Sequence, residues 1–212
     1  EVVMFRRNEK GFTLVELMVT LAIATIIAMM VTPFSDIIRK NRNLTLVQEF
    51  ATALNLARSE AIKRGRTVTV CKRMTPPDAL EEECDADPAT TWGNGWIVFV
   101  DVDETGGAGL IRNGTNVADS DATAATDDDP VVRVHQSIPD GYTFTAPRTT
   151  IGFRSSGVAI NGTATWTLCD SSRQQKYAHG VVVSMNGRVR LSEDTNGDGI
   201  RESQEDTNLV CP

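Results

Sequence analysis

An α+β chain is predicted, with one long N-terminal helix, half membrane-spanning and half amphipathic, packed on a mainly antiparallel β head, and three observations predict it. Phe12 to Val31 is a nearly unbroken apolar run. Beyond it, Leu46, Phe50, Ala53, Leu54, Ala57 and Ala61 recur at helical spacing. From Thr67 onward, short β-rich runs alternate with turn signals, among them the pairs Asn161-Gly162 and Asn186-Gly187. The expected boundaries are a leader over 1–11, a membrane half over 12–33, an amphipathic half over 34–66 and a head over 67–212.

Residues 1–11 read as a short charged leader, and Met4 could equally be the start. A helix rises about 1.5 Å per residue, so about 20 apolar residues cross a ~30 Å hydrocarbon core. Phe12 to Val31 meets that length. The competing reading, a secretory signal peptide removed whole, expects an apolar region of roughly 7 to 15 residues and a small-x-small cleavage site. Here the run is longer, no such site follows, and Glu16 sits inside it. An unpartnered charge there costs a few kcal/mol, which marks Glu16 as functional.

Pro33 should kink the helix without ending it, because the helical pattern resumes beyond it. Arg39, Lys40, Arg42, Glu49, Arg58 and Lys63 fall off the apolar stripe, and Gly65 after Lys63-Arg64 is a fitting C-cap. Strands are expected at Thr67–Cys71, Trp96–Val100, Leu110–Ile111, Val131–Val134, Tyr142–Phe144, Ile151–Arg154 and on both sides of Asn186-Gly187. Met74–Thr91 holds Pro76, Pro77, Pro88 and Glu81-Glu82-Glu83, so it reads as a loop, and Asp119–Pro130 as a surface loop. In the last hairpin Arg188 and Arg190 share one face, with Val189 and Leu191 toward the core.

Lys10-Gly11-Phe12-Thr13-Leu14-Val15-Glu16-Leu17 resembles the class III signal of type IV pilins and type II secretion pseudopilins. The head extends the resemblance. The strand after the helix, the cysteine-bracketed loop, Trp92-Gly93-Asn94-Gly95-Trp96-Ile97-Val98-Phe99, Gly152-Phe153 and the late Gly-Arg-Val-Arg with a closing cysteine are similar to the GspH/FimT family of minor pilins and pseudopilins.

The resemblance implies cleavage by a prepilin peptidase after Gly11 and N-methylation of Phe12. It also implies assembly with other pilins or pseudopilins through an inner-membrane platform. Glu16 would then pair with the Phe12 amine of a neighbouring subunit, which offsets its burial in the membrane. The place of use is a type IV pilus, or alternatively a type II secretion pseudopilus with a purely structural role.

The formal net charge of −7 argues against bulk nucleic-acid affinity while leaving room for a local basic patch. Basic residues precede the apolar run and all four cysteines follow it, which places the head on the periplasmic side of the inner membrane, where disulfides are permitted. Cys71 with Cys84 and Cys169 with Cys211 is the expected pairing, the other two connectivities remaining open. Catalysis is not expected. The histidines are His135 and His179, and neither a Gly-x-Ser-x-Gly elbow nor a His-Glu-x-x-His helix is present.

Two candidate binding sites remain. Asp194, Asn196, Asp198, Gly199, Ile200 and Glu205 match the calcium-loop spacing D-x-N-x-D-G with an acid at the twelfth position; no cofactor is required, but Ca²⁺ is a candidate. Gly187-Arg188-Val189-Arg190 matches the Gly-Arg-x-Arg motif through which FimT-type members are associated with DNA. Arg173 and Lys176 are candidate helpers. The competing reading is that these arginines pair with acidic neighbours such as Glu193.

Overall fold

The computed structural model describes residues 11–74, 84, 85, 87, 88, 91–101, 130–160 and 162–212, with backbone alone over 30–36. The expected strand at Leu110–Ile111 and nearly all of Asp119–Pro130 lie outside the described residues. Among the described residues one α-helix, α1 (Leu14–Arg64), precedes eight strands, and every strand pairing is antiparallel. The chain divides into two compact units, residues 1–41 and 42–212.

In the first unit the helix begins at Leu14, after Thr13, and is helical at Pro33. Phe12, Leu14, Val15, Leu17, Met18, Val19, Leu21, Ile23, Ile26, Ile27 and Met29 are all exposed, Phe12 at 79%. Among the described residues no helix is long and apolar enough to cross a membrane.

In the second unit the helix turns amphipathic. Val47, Phe50, Ala53, Leu54, Ala57 and Ala61 are at most 1% exposed, whereas Leu46 is only half-buried. The buried face therefore starts at Asn43 and Val47. Asn43 donates through Nδ2 to the Tyr177 carbonyl at 3.0 Å. Gly65 closes the helix with φ +68°, its N–H donating to the Ala61 carbonyl at 3.0 Å.

Two four-stranded sheets follow. The first, in the order β3-β2-β1-β5, holds β1 (Thr67–Lys72), β2 (Trp96–Asp101), β3 (Val131–His135) and β5 (Thr150–Phe153). The second, in the order β4-β6-β7-β8, holds β4 (Thr143–Thr145), β6 (Ala164–Cys169), β7 (His179–Val183) and β8 (Val189–Leu191). β5 and β6 belong to different sheets; Asn161, of the expected Asn161-Gly162 turn, lies outside the described residues.

The period-2 pattern of each sheet assigns its faces. Val68, Val70, Trp96, Val98, Val100, Ile151 and Phe153 join Phe144, Trp166, Leu168, Val181, Val183 and the helix stripe in one core. Phe50 is its hub, with rings of Trp92, Trp96 and Phe144 edge-on at 5.4, 5.0 and 5.0 Å. The outer faces carry small clusters, each closed by a disulfide. Cys71–Cys84 (Cα–Cα 5.6 Å) sits beside Ile97 and Phe99, and Cys169–Cys211 (5.8 Å) beside Ala178 and Leu209. Of the three connectivities open to the sequence, this is the local one.

Candidate functional site

At the start of α1, the Glu16 N–H donates to Thr13 Oγ1 at 3.2 Å and the Leu17 N–H to the Thr13 carbonyl at 3.2 Å. Thr13 is thus the N-cap, with Glu16 three residues on at capping-box spacing. Among the described residues Glu16 has no ion-pair partner, and it is exposed within an apolar surface. Gly11 and Phe12 precede the helix and are exposed.

The second candidate lies at the β7–β8 turn. Val183 pairs with Val189 and Val182 with Arg190. The Ser184 N–H then donates to the Arg188 carbonyl at 3.0 Å and the Gly187 N–H to the Ser184 carbonyl at 2.8 Å. Met185, Asn186 and Gly187 therefore form a three-residue loop. Gly187 has φ +75°, whereas Asn186 is not among the positive-φ residues, so the two-residue type I′ turn expected of Asn-Gly is replaced by a turn ending in a left-handed glycine. Asn186 contributes through its side chain instead, its Oδ1 accepting from the Arg188 N–H at 3.1 Å.

Packing explains why glycine is needed. A Cβ on Gly187 would stand 1.9 Å from the Gly157 carbonyl oxygen. Arg58 of α1 fastens both loops, its Nε donating to the Gly157 carbonyl at 3.0 Å and its Nη2 to the Asn186 carbonyl at 3.3 Å. Arg188 and Arg154 are exposed here, and Arg190 is half-buried about 7 Å further along the strand. Among the described residues neither Arg188 nor Arg190 has an acidic partner. Sequence reading missed Arg58 and Arg154, which only the meeting of three distant segments brings to this turn.

The other predicted helpers are elsewhere. Arg173 and Lys176 lie in the connection from β6 to β7, which enters β7 at His179, the end opposite to the Arg188 turn. Five residues of strand put roughly 14 Å between the two ends. Lys176 rests its Nζ 4.6 Å above the Tyr177 ring. Glu193 also lies at that far end, since the Ser192 N–H donates to the Gly180 carbonyl at 2.8 Å.

The acidic loop occupies the far end as well. Oxygens of Asp194, Asp198 and Glu202 all lie within 4.8 Å of one another. Asp194 accepts from the N–H groups of Gly197 and Gly199 at 2.7 and 2.8 Å, and Asn196 Oδ1 from that of Asp198 at 2.8 Å. Hydrogen bonds from Asn208 Nδ2 and then from the Ile200 N–H hold the Asp198 carboxyl below its usual range. The twelfth-position Glu205 is not in this group. A turn through Gln204–Thr207, closed by Ser203 N–H to the Thr207 carbonyl at 2.8 Å, carries Glu205 out to solvent. Its place is taken by Glu202, the ninth residue of the loop.

The family model of the type II transport protein GspH matches residues 46–187, about two thirds of the chain. The chain belongs to the GspH family. A prokaryotic N-terminal methylation motif matches residues 6–32. As a GspH-family protein it is a minor pilin or pseudopilin, a subunit of the type IV pilus or type II secretion class. No sequence among the curated proteins matches it.

In fold the chain is similar to the type IV minor pilin FimU of Pseudomonas aeruginosa in two crystal forms. One shares 19% identity over 71% of this chain and 92% of that one, with a TM-score of 0.44; the other shares 18% over 72% and 90%, with 0.47. It is also similar to the minor pseudopilin EpsH of the Vibrio cholerae type 2 secretion system, 16% identical over 71% and 95%, with a TM-score of 0.41. The GspH match ends at Gly187. Arg188, Arg190 and the acidic loop lie beyond it.

Proposed function

We propose that this GspH-family chain is cut after Gly11 by a prepilin peptidase, methylated at Phe12, and assembled with other pilins or pseudopilins through an inner-membrane platform. Its role is that of a filament subunit, without catalysis, its head on the periplasmic side. The observation that carries this reading is the start of α1. An exposed Gly11-Phe12 pair is followed by a Thr13-capped helix whose side chains are mostly apolar and exposed, with Glu16 as the one charge among those described up to Met29. Such a surface needs lipid or another helix around it. Glu16 then answers to the Phe12 amine of a neighbouring subunit and fixes their stagger.

The two steps separate experimentally. Gly11→Ala should leave an uncleaved band on immunoblots, whereas Glu16→Ala should be processed normally yet be missing from sheared filaments. An uncleaved Glu16→Ala, or one that enters filaments like wild type, counts against the scheme.

A second role, DNA binding in uptake by a pilus, is favoured by the turn end of β7–β8, where Arg58 bonds both loops, Arg188 is exposed, and among the described residues neither Arg188 nor Arg190 has an acidic partner. Two or three phosphate contacts would make binding weak, independent of sequence, and about 10- to 50-fold weaker at 200 than at 50 mM salt. A gel shift of the purified chain in detergent with duplex DNA tests it. Equal binding by wild type and the Arg188→Gln, Arg190→Gln variant, or no binding by either, leaves the purely structural secretion pseudopilin as the reading.

A further inference from the structure

Glu202 is 2% exposed, and one of its carboxylate oxygens, Oε1, is buried without a hydrogen-bond partner. Its other oxygen accepts from the Thr195 N–H at 2.7 Å. An orphaned buried carboxylate oxygen costs desolvation energy that nothing in the loop returns. The same carboxylate is grouped with those of Asp194 and Asp198, their oxygens within 4.8 Å. Three carboxylates so close repel one another unless a cation stands between them. Arg201 is near enough to feel the charge of Asp194, but its Nη1 donates to the Ala178 carbonyl at 3.3 Å, and among the described residues it forms no ion pair with any of the three carboxylates.

We propose that Asp194, Asp198 and Glu202 bind a Ca²⁺ ion. All the donors are hard oxygens, as Ca²⁺ prefers, and carbonyl and water ligands would complete its six to eight. Glu202 acts from the ninth position, with Glu205 outside the site. The site lies beyond the residues that the GspH family model matches, and it is independent of whether the filament role holds. Its consequence is mechanical. Asp198 Oδ2 already accepts from Asn208 Nδ2 at 2.8 Å, Glu202 bridges Asn208, and the Leu209 N–H donates to the Arg201 carbonyl at 2.8 Å. The ion therefore braces the last residues of the chain, next to Cys211.

Thermal unfolding of the full chain in detergent, followed in EDTA, in CaCl₂, in MgCl₂ and in NaCl at matched ionic strength, tests the site. Ca²⁺ at about ten times its dissociation constant should raise Tm by about 3–6 °C, saturably, and Mg²⁺ by less. Glu202→Gln should abolish the shift while melting in EDTA no lower than wild type, because the buried charge is gone. Asp198→Asn, an exposed change, should move the Ca²⁺ midpoint at least tenfold higher, and Glu205→Gln should leave it unchanged. No saturable shift in wild type, an equal shift in Mg²⁺, a shift that survives in both Glu202→Gln and Asp198→Asn, or one lost in Glu205→Gln overturns the proposal.

Discussion

The two ends of the β7–β8 hairpin each turn on left-handed glycines, yet they differ in what those glycines meet. At the Arg188 end Gly187 (φ +75°) is pressed against the Gly157 carbonyl, and Arg58 bonds both loops. At the Asp194 end Gly197 (φ +80°) and Gly199 (φ +86°) have nothing within 4 Å of where a Cβ would stand. The first end is shaped by backbone packing among distant segments. The second is shaped by side chains folding back on their own loop, with Asp194, Asn196 and Asp198 each accepting a nearby N–H. One end sets Arg58 on two loop carbonyls beside Arg188, and the other gathers carboxylates locally.

The largest expected effect breaks the first end alone. Gly187→Ala combines a left-handed φ with a backbone collision, and should destabilise by on the order of 4 kcal/mol or more, or prevent folding. Gly197→Ala carries only the left-handed penalty, roughly 1–2 kcal/mol. Denaturant unfolding of the two variants measures the difference; similar losses would erase the contrast. It follows that a Gly187 variant cannot test DNA binding, since it changes the turn itself.

Next in size are the disulfides. Cys169–Cys211 closes a separation of 42 residues and secures the chain beyond the acidic end, whereas Cys71–Cys84 closes 13 on the outer face of the first sheet. Loop entropy gives about 4 kcal/mol for the longer and about 3 kcal/mol for the shorter. Paired Cys→Ser variants compared by thermal unfolding should keep that order. A reversed order would mean that the C-terminal segment is held mainly by its other contacts, such as Leu209, which is 2% exposed.

These contrasts show what the sequence could carry. Helical spacing placed Phe50, Ala53, Leu54, Ala57 and Ala61 in the core because a 3.6-residue period is a local property of the chain. β-rich runs placed most strands for the same reason. Local signals failed where a distant segment decided the outcome. The Asn186-Gly187 loop gained a residue as Gly187 packed on Gly157, and Glu205 gave way to Glu202 once a bridge to Asn208 redirected the chain. Arg173 and Lys176 looked like partners of Arg188 in a linear string, but an antiparallel hairpin sends its two connections to opposite ends.

The smallest expected effect sharpens that last point. If DNA meets the Arg188 turn, Arg173 and Lys176 stand roughly 14 Å away along β7, beyond the ~8–10 Å screening length of 0.1–0.15 M salt. Arg173→Gln, Lys176→Gln should therefore change duplex affinity less than about twofold and leave the salt slope intact. Arg188→Gln, Arg190→Gln removes two phosphate contacts and should lower the slope by nearly two. Both pairs lie on the surface or half-buried, so stability should stay within about 0.5 kcal/mol of wild type in each. Salt titrations of the two variants side by side decide the matter. If the Arg173, Lys176 pair lowers the slope as much as the Arg188, Arg190 pair, DNA spans both ends of the hairpin, and the division drawn between them does not govern binding.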